Sequence, residues 1–213
     1  MASIADNLQA VKGRIGVVTL LAVSKGQSME RIREAVAAEQ RAFGENYVQD
    51  AVQKMDAIPG LEWHLIGPLQ SNKTRLAAER FDWVQTVSSE KIAKRLSEQR
   101  PANLPPLNVL VQVNASGEAS KSGVSPKDAL LLCESVKAMK NLRLRGLMAI
   151  PEPDAPRARY QEVRRLYDSL KDRFAFDTLS MGMSDDYELA IAEGATMVRV
   201  GTAIFGARQK KAA

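Results

Sequence analysis

The chain has 213 residues, which is enough for one domain with a full hydrophobic core and close to the lower limit for an eight-stranded α/β barrel. Hydrophobic residues make up 45% of it and charged residues 26%, a balance that excludes a disordered chain. The 30 Lys and Arg against 25 Asp and Glu give a net charge of +5, but the charges are mixed along runs such as SEKIAKRLSEQR, as on solvated helix faces.

The N-terminal segment 1–16 has the periodicity of an amphipathic helix, not the basic start and long apolar run of a secretory signal. No apolar run reaches the ~20 residues needed to span a membrane. With one cysteine, Cys133, no intramolecular disulfide can form, and its setting in LLLCESVKAM predicts a packing thiol on a helix. We therefore expect a cytoplasmic protein that does not enter a membrane.

Short apolar or β-branched runs alternate with longer helical patterns along the whole chain. The predicted strands are 17–25, 41–45, 62–67, 82–87, 106–114, 143–150, 177–181 and 196–201. The predicted helices that follow the N-terminal one are 28–39, 46–57, 71–80, 88–99, 125–140, 155–174 and 185–194. Ser28 is a plausible N-cap, and Pro126 suits a first helical turn.

About eight strand–helix alternations are the number that closes a (β/α)8 TIM barrel. Parallel strands that are buried on both faces also explain the nearly continuous apolar runs. Because neither a repeat nor a low-complexity linker divides the chain, we expect a single domain over 1–213. A doubly wound open sheet has the same alternation, and the pattern alone leaves it open.

Unusual polar residues cluster at or near the carboxyl ends of the predicted strands, the end that carries the active site of a barrel. These residues, together with one methionine, are Lys25, Glu45, Asn46, Asn114, Met148, Ser180 and Arg199. A partly desolvated Lys25 would be a competent nucleophile toward an aldehyde. The alternative, a strand-end lysine that extends its amine to water, is the more common outcome for such a position.

The last two predicted strand–helix loops have the composition of a phosphate site. In LSMGMSDDYELAIAEG, Gly and Ser precede a helix, so that free backbone N–H groups and the Ser184 hydroxyl could bind an anion. In VRVGTAIFG, Gly201 and Thr202 follow the last strand, and barrels often bind phosphate between these two loops. The alternative is that Ser184 is only an N-cap and Gly201 only permits a turn.

Two further polar residues lie within predicted strands. Arg199 is costly in an apolar strand unless it has a partner, which could be a carboxylate such as Glu45 or a ligand. His64, the only histidine, cannot form a zinc site of ordinary composition, and we interpret it as a packed or hydrogen-bonded strand residue. A contribution of His64 to the site stays open.

Together these motifs resemble the pyridoxal-phosphate homeostasis proteins of the YggS/PROSC type, whose fold is similar to the N-terminal barrel of alanine racemase (PLP fold type III). The matching stretches are LLAVSK (20–25), FGENYVQD (43–50), WHLIGPLQSNK (63–73), VNASGEASKSG (113–123), LRGLMAIP (144–151), SMGMSDDYELAIAEG (180–194) and VRVGTAIFG (198–206). They cover nearly the whole chain in order.

The resemblance implies that pyridoxal 5′-phosphate (PLP) is bound covalently, as a Schiff base on Lys25. It implies that Ser184 and the backbone at Gly201 and Thr202 hold the phosphate, and that Arg199 faces the pyridine nitrogen. The remaining implied cofactor-binding residues, near the phosphate or the ring, are Asn46, Ser180 and Met183.

The resemblance also implies a protein that stores PLP reversibly, and that could deliver it to apo PLP enzymes, without robust catalysis. Racemases of this fold carry a second, β-rich domain with a catalytic tyrosine, and this sequence stops soon after the last predicted strand. We therefore expect no second base, an open cofactor site and a monomer.

Two other functions are left as alternatives. An amino-acid racemase needs a second acid or base, for which Tyr47 and His64 are the nearby candidates. A nucleic-acid-binding protein is supported only by the pI near 9.4 and the ARQKK tail. Neither nucleic acid nor a membrane is an expected partner.

Overall fold

The computed structural model describes residues 2–116 and 122–207, in which strands and helices alternate as expected. The strands are β1 (Thr19–Val23), β2 (Ala42–Glu45), β3 (Glu62–Leu65), β4 (Trp83–Val87), β5 (Leu107–Val113), β6 (Leu142–Ala149), β7 (Thr178–Ser180) and β8 (Met197–Val200). The helices are α1 (Ile4–Ile15), α2 (Met29–Ala37), α3 (Val48–Ala57), α4 (Thr74–Arg80), α5 (Glu90–Gln99), α6 (Pro126–Lys137), α7 (Arg157–Phe174), α8 (Tyr187–Ala192) and α9 (Thr202–Phe205). A 3-10 turn, Ser71–Lys73, precedes α4.

The strands form a closed barrel in sequence order, from β1 to β8. All neighbouring strands are parallel, and β8 closes the barrel on β1 with Thr19 opposite Met197 and Ala22 opposite Val200. This confirms the predicted (β/α)8 barrel and excludes the open sheet, which would leave two unpaired edges. That one domain extends over 1–213 stays a prediction, because the two ends include residues outside those described.

Local sequence signals set where several helices begin. Ser28, Ser89 and Ser125 each accept a backbone N–H of the first turn and so cap α2, α5 and α6. Pro126 occupies the first position of α6, where a missing N–H is harmless. The predicted N-cap at Ser28 and the first-turn proline are thus confirmed.

Side chains alternate between the two faces of the barrel wall. Leu20 and Ala22 belong to the large core between strands and helices, whereas Leu21 and Val23 form a separate cluster with Ile66 inside the barrel. The same alternation assigns Lys25, two residues beyond Val23, to the inner side at the barrel mouth. Ser24 and Glu45 correspondingly lie on the outer side, beneath α3.

Cys133 is fully buried on α6, and burial raises the pKa of its thiol to about 12. At neutral pH the thiol is therefore protonated, which confirms the predicted packing residue. None of the helices in the described part of the chain is both long and apolar enough to cross a membrane.

Candidate functional site

The barrel mouth brings together the residues that follow β1, β2 and β8. Val23 pairs with Gly44 of β2, and Ala22 pairs with Val200 of β8, so the half-buried Lys25 lies between these two neighbouring strand ends. A Cβ on Gly201 would lie 3.3 Å from the carbonyl oxygen of Val23. Glycine at this position therefore lets the loop after β8 approach the end of β1 closely, two residues before Lys25.

The two loops predicted to bind phosphate meet at the Ser184 hydroxyl. Its oxygen accepts the backbone N–H of Gly201 at 3.1 Å and that of Ala203 at 3.4 Å. Two backbone N–H groups and one hydroxyl thus converge at the start of the loop after β8, where Thr202 begins α9. Such convergent N–H groups suit an oxyanion, whose oxygens could accept the same hydrogens.

Asp186 holds the loop that carries Ser184. Its carboxylate accepts the backbone N–H of Met183 and the hydroxyl of Tyr160. This connection fixes the loop after β7 to α7, so Met183 and Ser184 are supported by a packed helix. Met183 itself is 38% exposed at the mouth.

Two cavities open beside these loops. One of about 320 Å³ is lined by Asn46, Thr86, Gln112, Ile150 and Met183, among others. The other, of about 840 Å³, is bordered by Met183, Ser184 and the loop before α7. Neither is lined by Lys25 or Arg199, which lie at the adjoining strand ends.

Arg199 is buried inside the barrel and is hydrogen bonded on two of its nitrogens. Nη1 donates to Ser180 Oγ at 2.7 Å, and Nη2 donates to the carbonyl oxygen of Ala149 at 2.9 Å. Burial lowers the pKa of this guanidinium to about 10, so it remains protonated at neutral pH. The suggestion that Glu45 pairs with Arg199 is wrong, because Glu45 lies on the opposite face of the barrel wall.

Glu45 instead forms a buried ion pair beneath Lys25. Lys54 Nζ on α3 donates to Glu45 Oε1 at 2.6 Å and to the carbonyl oxygen of Ser24 at 2.7 Å, and Ser24 Oγ donates to the same Glu45 oxygen at 2.5 Å. Burial raises the pKa of the Glu45 carboxyl, while Lys54 and Ser24 act in the opposite direction. The cluster joins the ends of β1 and β2 immediately before Lys25.

Asn46 has an unsatisfied polar atom at the mouth. Its Oδ1 is buried and has no hydrogen-bond partner among the described residues. The backbone beside it is tightly packed, since a Cβ on Gly67 would lie 2.1 Å from the Asn46 carbonyl oxygen. A buried amide end without a partner is costly, so this position suits a ligand that supplies one.

His64 is buried inside the barrel and stacks on Trp83, with ring centroids 5.0 Å apart. Its Nε2 lies 2.8 Å from Glu62 Oε1 and its Nδ1 lies 2.9 Å from Gln85 Nε2. The predicted packed, hydrogen-bonded histidine is confirmed. The other candidate base, Tyr47, is 67% exposed.

We expect a pH dependence of stability from His64. Burial lowers its pKa below the ordinary value near 6.5, so the unfolded chain binds a proton that the folded protein resists. Below pH 6.5, the free energy of unfolding should fall by up to about 1.4 kcal/mol per pH unit until the folded-state pKa is reached. Urea denaturation between pH 5 and 8 measures this, and the curve of His64→Gln should lack that component. If the free energy of unfolding of the wild type and of His64→Gln depended on pH in the same way, the lowered pKa of His64 would be contradicted.

The described residues fit a phosphorylated aldehyde cofactor such as PLP. The mouth offers the Lys25 amine, the N–H groups of Gly201 and Ala203 that converge on Ser184 Oγ, and the amide oxygen of Asn46 without a hydrogen-bond partner. Nearby lies Arg199, a hydrogen-bond donor that is charged at neutral pH. By contrast, no group of three or more His, Cys, Asp and Glu within residues 2–116 and 122–207 could hold a metal ion.

The other residues singled out at strand ends differ in their exposure. Met148 is the penultimate residue of β6, at its carboxyl end as expected, and packs with Trp83 and Leu110 inside the barrel. Asn114 follows β5 as expected, but part of its motif, 117–121, lies outside the described residues, as does 208–211 of the basic tail. Ser180 is fully buried beneath the mouth.

Sequence reasoning missed Gln85. It lies in the middle of β4 and is fully buried, with hydrogen bonds to both His64 and Ser180. The available signal was the same that singled out Arg199, a polar residue within an apolar strand, WVQTV.

Comparison with known proteins gives consistent matches along the chain. Residues 1–209 match the family described as alanine racemase, N-terminal domain. A relative from Pseudomonas aeruginosa, named pyridoxal phosphate homeostasis protein, is 56% identical over 98% of this chain and 97% of its own. The solved structure of PipY from Synechococcus elongatus with PLP bound is 38% identical, with a TM-score of 0.86, over 96% of this chain and 100% of PipY.

Racemases are similar in fold only. Alanine racemase from Corynebacterium glutamicum superposes with a TM-score of 0.76, at 19% identity, and the matched part covers 62% of the racemase chain.

Proposed function

The chain belongs to the family of pyridoxal phosphate homeostasis proteins, which have the alanine racemase N-terminal domain, and we propose that it binds PLP and acts in PLP homeostasis. The observation that carries the proposal is that the end of β1, two residues before Lys25, meets the loops after β7 and β8 at one barrel mouth. The PLP bound to PipY, a relative that aligns over its full length, supports the cofactor.

Lys25 is proposed to hold the cofactor covalently. Its amine nitrogen adds to the aldehyde carbon, and loss of one water forms a C=N bond that water can later reverse. Such a bond sequesters a reactive aldehyde without trapping it permanently. When bound, the cofactor supplies an electrophilic imine and an electron-withdrawing ring.

The other residues are proposed to orient the cofactor. Ser184, Gly201 and Thr202 bind the phosphate through N–H and hydroxyl groups, and Met183 covers the adjoining wall. Asn46 supplies an amide near the ring. These contacts are non-covalent, so they keep the phosphorylated aldehyde beside Lys25 after hydrolysis of the imine.

Arg199 is proposed to face the pyridine nitrogen, with Ser180 holding it in place. A guanidinium only donates hydrogen bonds, so it favours an unprotonated nitrogen there. An unprotonated pyridine withdraws electrons from a substrate carbanion poorly. This arrangement suits storage better than reactions that need strong carbanion stabilisation.

Storage is favoured over racemisation for a second reason. The homeostasis relative aligns along nearly its entire length, whereas the racemase match shows the fold alone. Delivery to apo PLP enzymes, a monomeric state and a cytoplasmic location complete the proposal. Incubation with L-alanine followed by chiral chromatography should give no steady D-alanine production, and robust turnover would refute the storage function.

The decisive experiment maps the cofactor bond. The purified protein is loaded with PLP, its visible absorbance is recorded, and borohydride reduction makes the adduct permanent. Peptide mass spectrometry should find the reduced adduct on Lys25. Adduct on another lysine would overturn the assignment of Lys25, and absence of any PLP uptake would overturn the proposed function.

A further inference from the structure

A continuous chain of hydrogen bonds crosses the barrel interior beneath the mouth. Arg199 Nη1 and Ser180 Oγ are 2.7 Å apart, and Ser180 Oγ and Gln85 Oε1 are also 2.7 Å apart. Gln85 Nε2 lies 2.9 Å from His64 Nδ1, and His64 Nε2 lies 2.8 Å from Glu62 Oε1. Glu62 is the first residue of β3, so this series of hydrogen bonds ends at the opposite end of the barrel from Lys25.

Every donor in this chain points the same way. Glu62 can only accept, since the hydrogen bond from His64 lowers the pKa of its carboxyl. His64 is neutral because burial lowers its pKa, so Nε2 carries the hydrogen and Nδ1 accepts from the Gln85 amide. The Gln85 oxygen then accepts the Ser180 hydroxyl, which leaves the Ser180 oxygen to accept from Arg199.

Neighbouring side chains fix the orientation of the groups in this hydrogen-bonded series. His64 stacks on Trp83 with the two rings only 10° from parallel, and the Arg145 guanidinium lies 4.7 Å from the Trp83 ring centroid. Gln85 Nε2 also approaches Met197 Sδ at 3.2 Å. With the imidazole plane fixed, the Gln85 amide has one orientation that satisfies both its ends.

We propose that Glu62, His64 and Gln85 are positioning residues for the cofactor site, which fix the Ser180 hydroxyl and, through it, the Arg199 guanidinium. The inference rests on the proposed function in one respect only, that Arg199 faces the ring nitrogen of PLP. Through this series of hydrogen bonds, the half-exposed carboxylate of Glu62 at one end of the barrel would influence the cofactor at the other end. Hydrogen bonds in such a series polarise one another in the poorly solvated interior.

Packing alone does not account for these residues. Ser180, Gln85 and His64 are all fully buried, where apolar side chains of similar volume would avoid the cost of desolvation. A buried polar series avoids a large desolvation cost only if every polar group in it has a hydrogen-bond partner, and here every member has one. Its one terminus inside the barrel is Arg199, the group proposed to contact the cofactor.

The test compares two buried glutamines. Gln85→Leu breaks the hydrogen-bonded series in the middle. Gln40→Leu removes a similarly buried amide, which donates to the Leu20 and Ala42 carbonyls on the barrel wall. In the apo-protein, NMR should show that the hydrogen-bonded Arg199 guanidinium signals are lost in Gln85→Leu but kept in Gln40→Leu. In the PLP-loaded protein, Gln85→Leu alone should shift the visible absorbance band and raise the PLP dissociation constant about tenfold.

A second pair of variants avoids the core. Glu62→Gln and Asp168→Asn remove carboxylates of similar exposure, 48% and 46%, the first at the amino end of β3 and the second on the outer helix α7. Glu62→Gln should perturb the Arg199 signals and the absorbance band in the same direction as Gln85→Leu but less, because its amide still accepts from His64. Asp168→Asn, which weakens an ion pair with Arg164 on the same helix, should leave the Arg199 signals and the absorbance band at their wild-type positions.

The outcomes separate the two proposals. Wild-type Arg199 signals in both Gln85→Leu and Glu62→Gln would overturn the positioning chain. If Gln85→Leu does not fold, the comparison of Glu62→Gln with Asp168→Asn decides. A wild-type protein that takes up no PLP refutes the proposed function, while the apo-protein signals still decide whether the chain holds Arg199.

Discussion

Replacement of Lys25 by alanine is expected to abolish the borohydride-trapped PLP adduct and to raise the PLP dissociation constant by about 100-fold or more. The variant loses the covalent bond, while the contacts at Ser184 and Gly201 remain and still bind the phosphate weakly. Absorbance titration gives the dissociation constant, and mass spectrometry of the reduced protein gives the adduct.

The matched control for this variant is Lys94→Ala. Lys94 lies on α5, and its side chain is 68% exposed, opposite Glu98 at 3.9 Å. The Lys94→Ala variant should bind PLP with the same dissociation constant as the wild type. Lys54 does not offer a substitute amine, because its Nζ is bonded to Glu45 and Ser24. An adduct that persists in Lys25→Ala would refute the assignment.

The largest loss of stability is expected from Lys54→Met. This variant leaves Glu45 buried without its cation, and breaking a buried ion pair in this way costs about 3 to 5 kcal/mol. Both side chains are almost fully buried, at 7% and 1% exposure, so solvent does little to screen the loss. Urea denaturation at pH 7 should show this decrease in the free energy of unfolding, with an unchanged slope in denaturant.

A double variant tests the reason for that loss. Glu45→Gln combined with Lys54→Met removes both charges, and the new amide can still accept the Ser24 hydroxyl, so much of the stability should return. Lys94→Met, which breaks an exposed pair, should have no measurable effect. A double variant less stable than Lys54→Met would show that packing of the lysine chain, and not the unpaired charge, dominates.

The cofactor site divides into residues that the sequence located and partners that it did not. Lys25, Ser184 and Gly201 follow strand ends or precede helices, and such positions are readable from the chain. The partner of Arg199 was not readable, because Ser180 is 19 residues away on a neighbouring strand and the alternative Glu45 had the more obvious charge. Barrel closure decides which side chains share a face, and it puts Arg199 inside and Glu45 outside.

The same limit explains the positioning chain. Gln85 and Ser180 are 95 residues apart, and they meet only because β4 and β7 both direct side chains into one interior. The local sequence shows that a buried Gln85 would need a hydrogen-bond partner, but it does not show which residue that partner is.

The sequence by itself determined the alternation of parallel strands and helices, the serine cap of α2, and the placement of Lys25 just beyond the end of β1. These depend on hydrophobic periodicity and on groups a few residues apart. Only the tertiary structure decided that Glu45 pairs with Lys54, that Arg199 is held by Ser180, and that His64 reaches Gln85. Those pairings depend on strand register and on the inward or outward direction of each side chain, which closure of the barrel fixes.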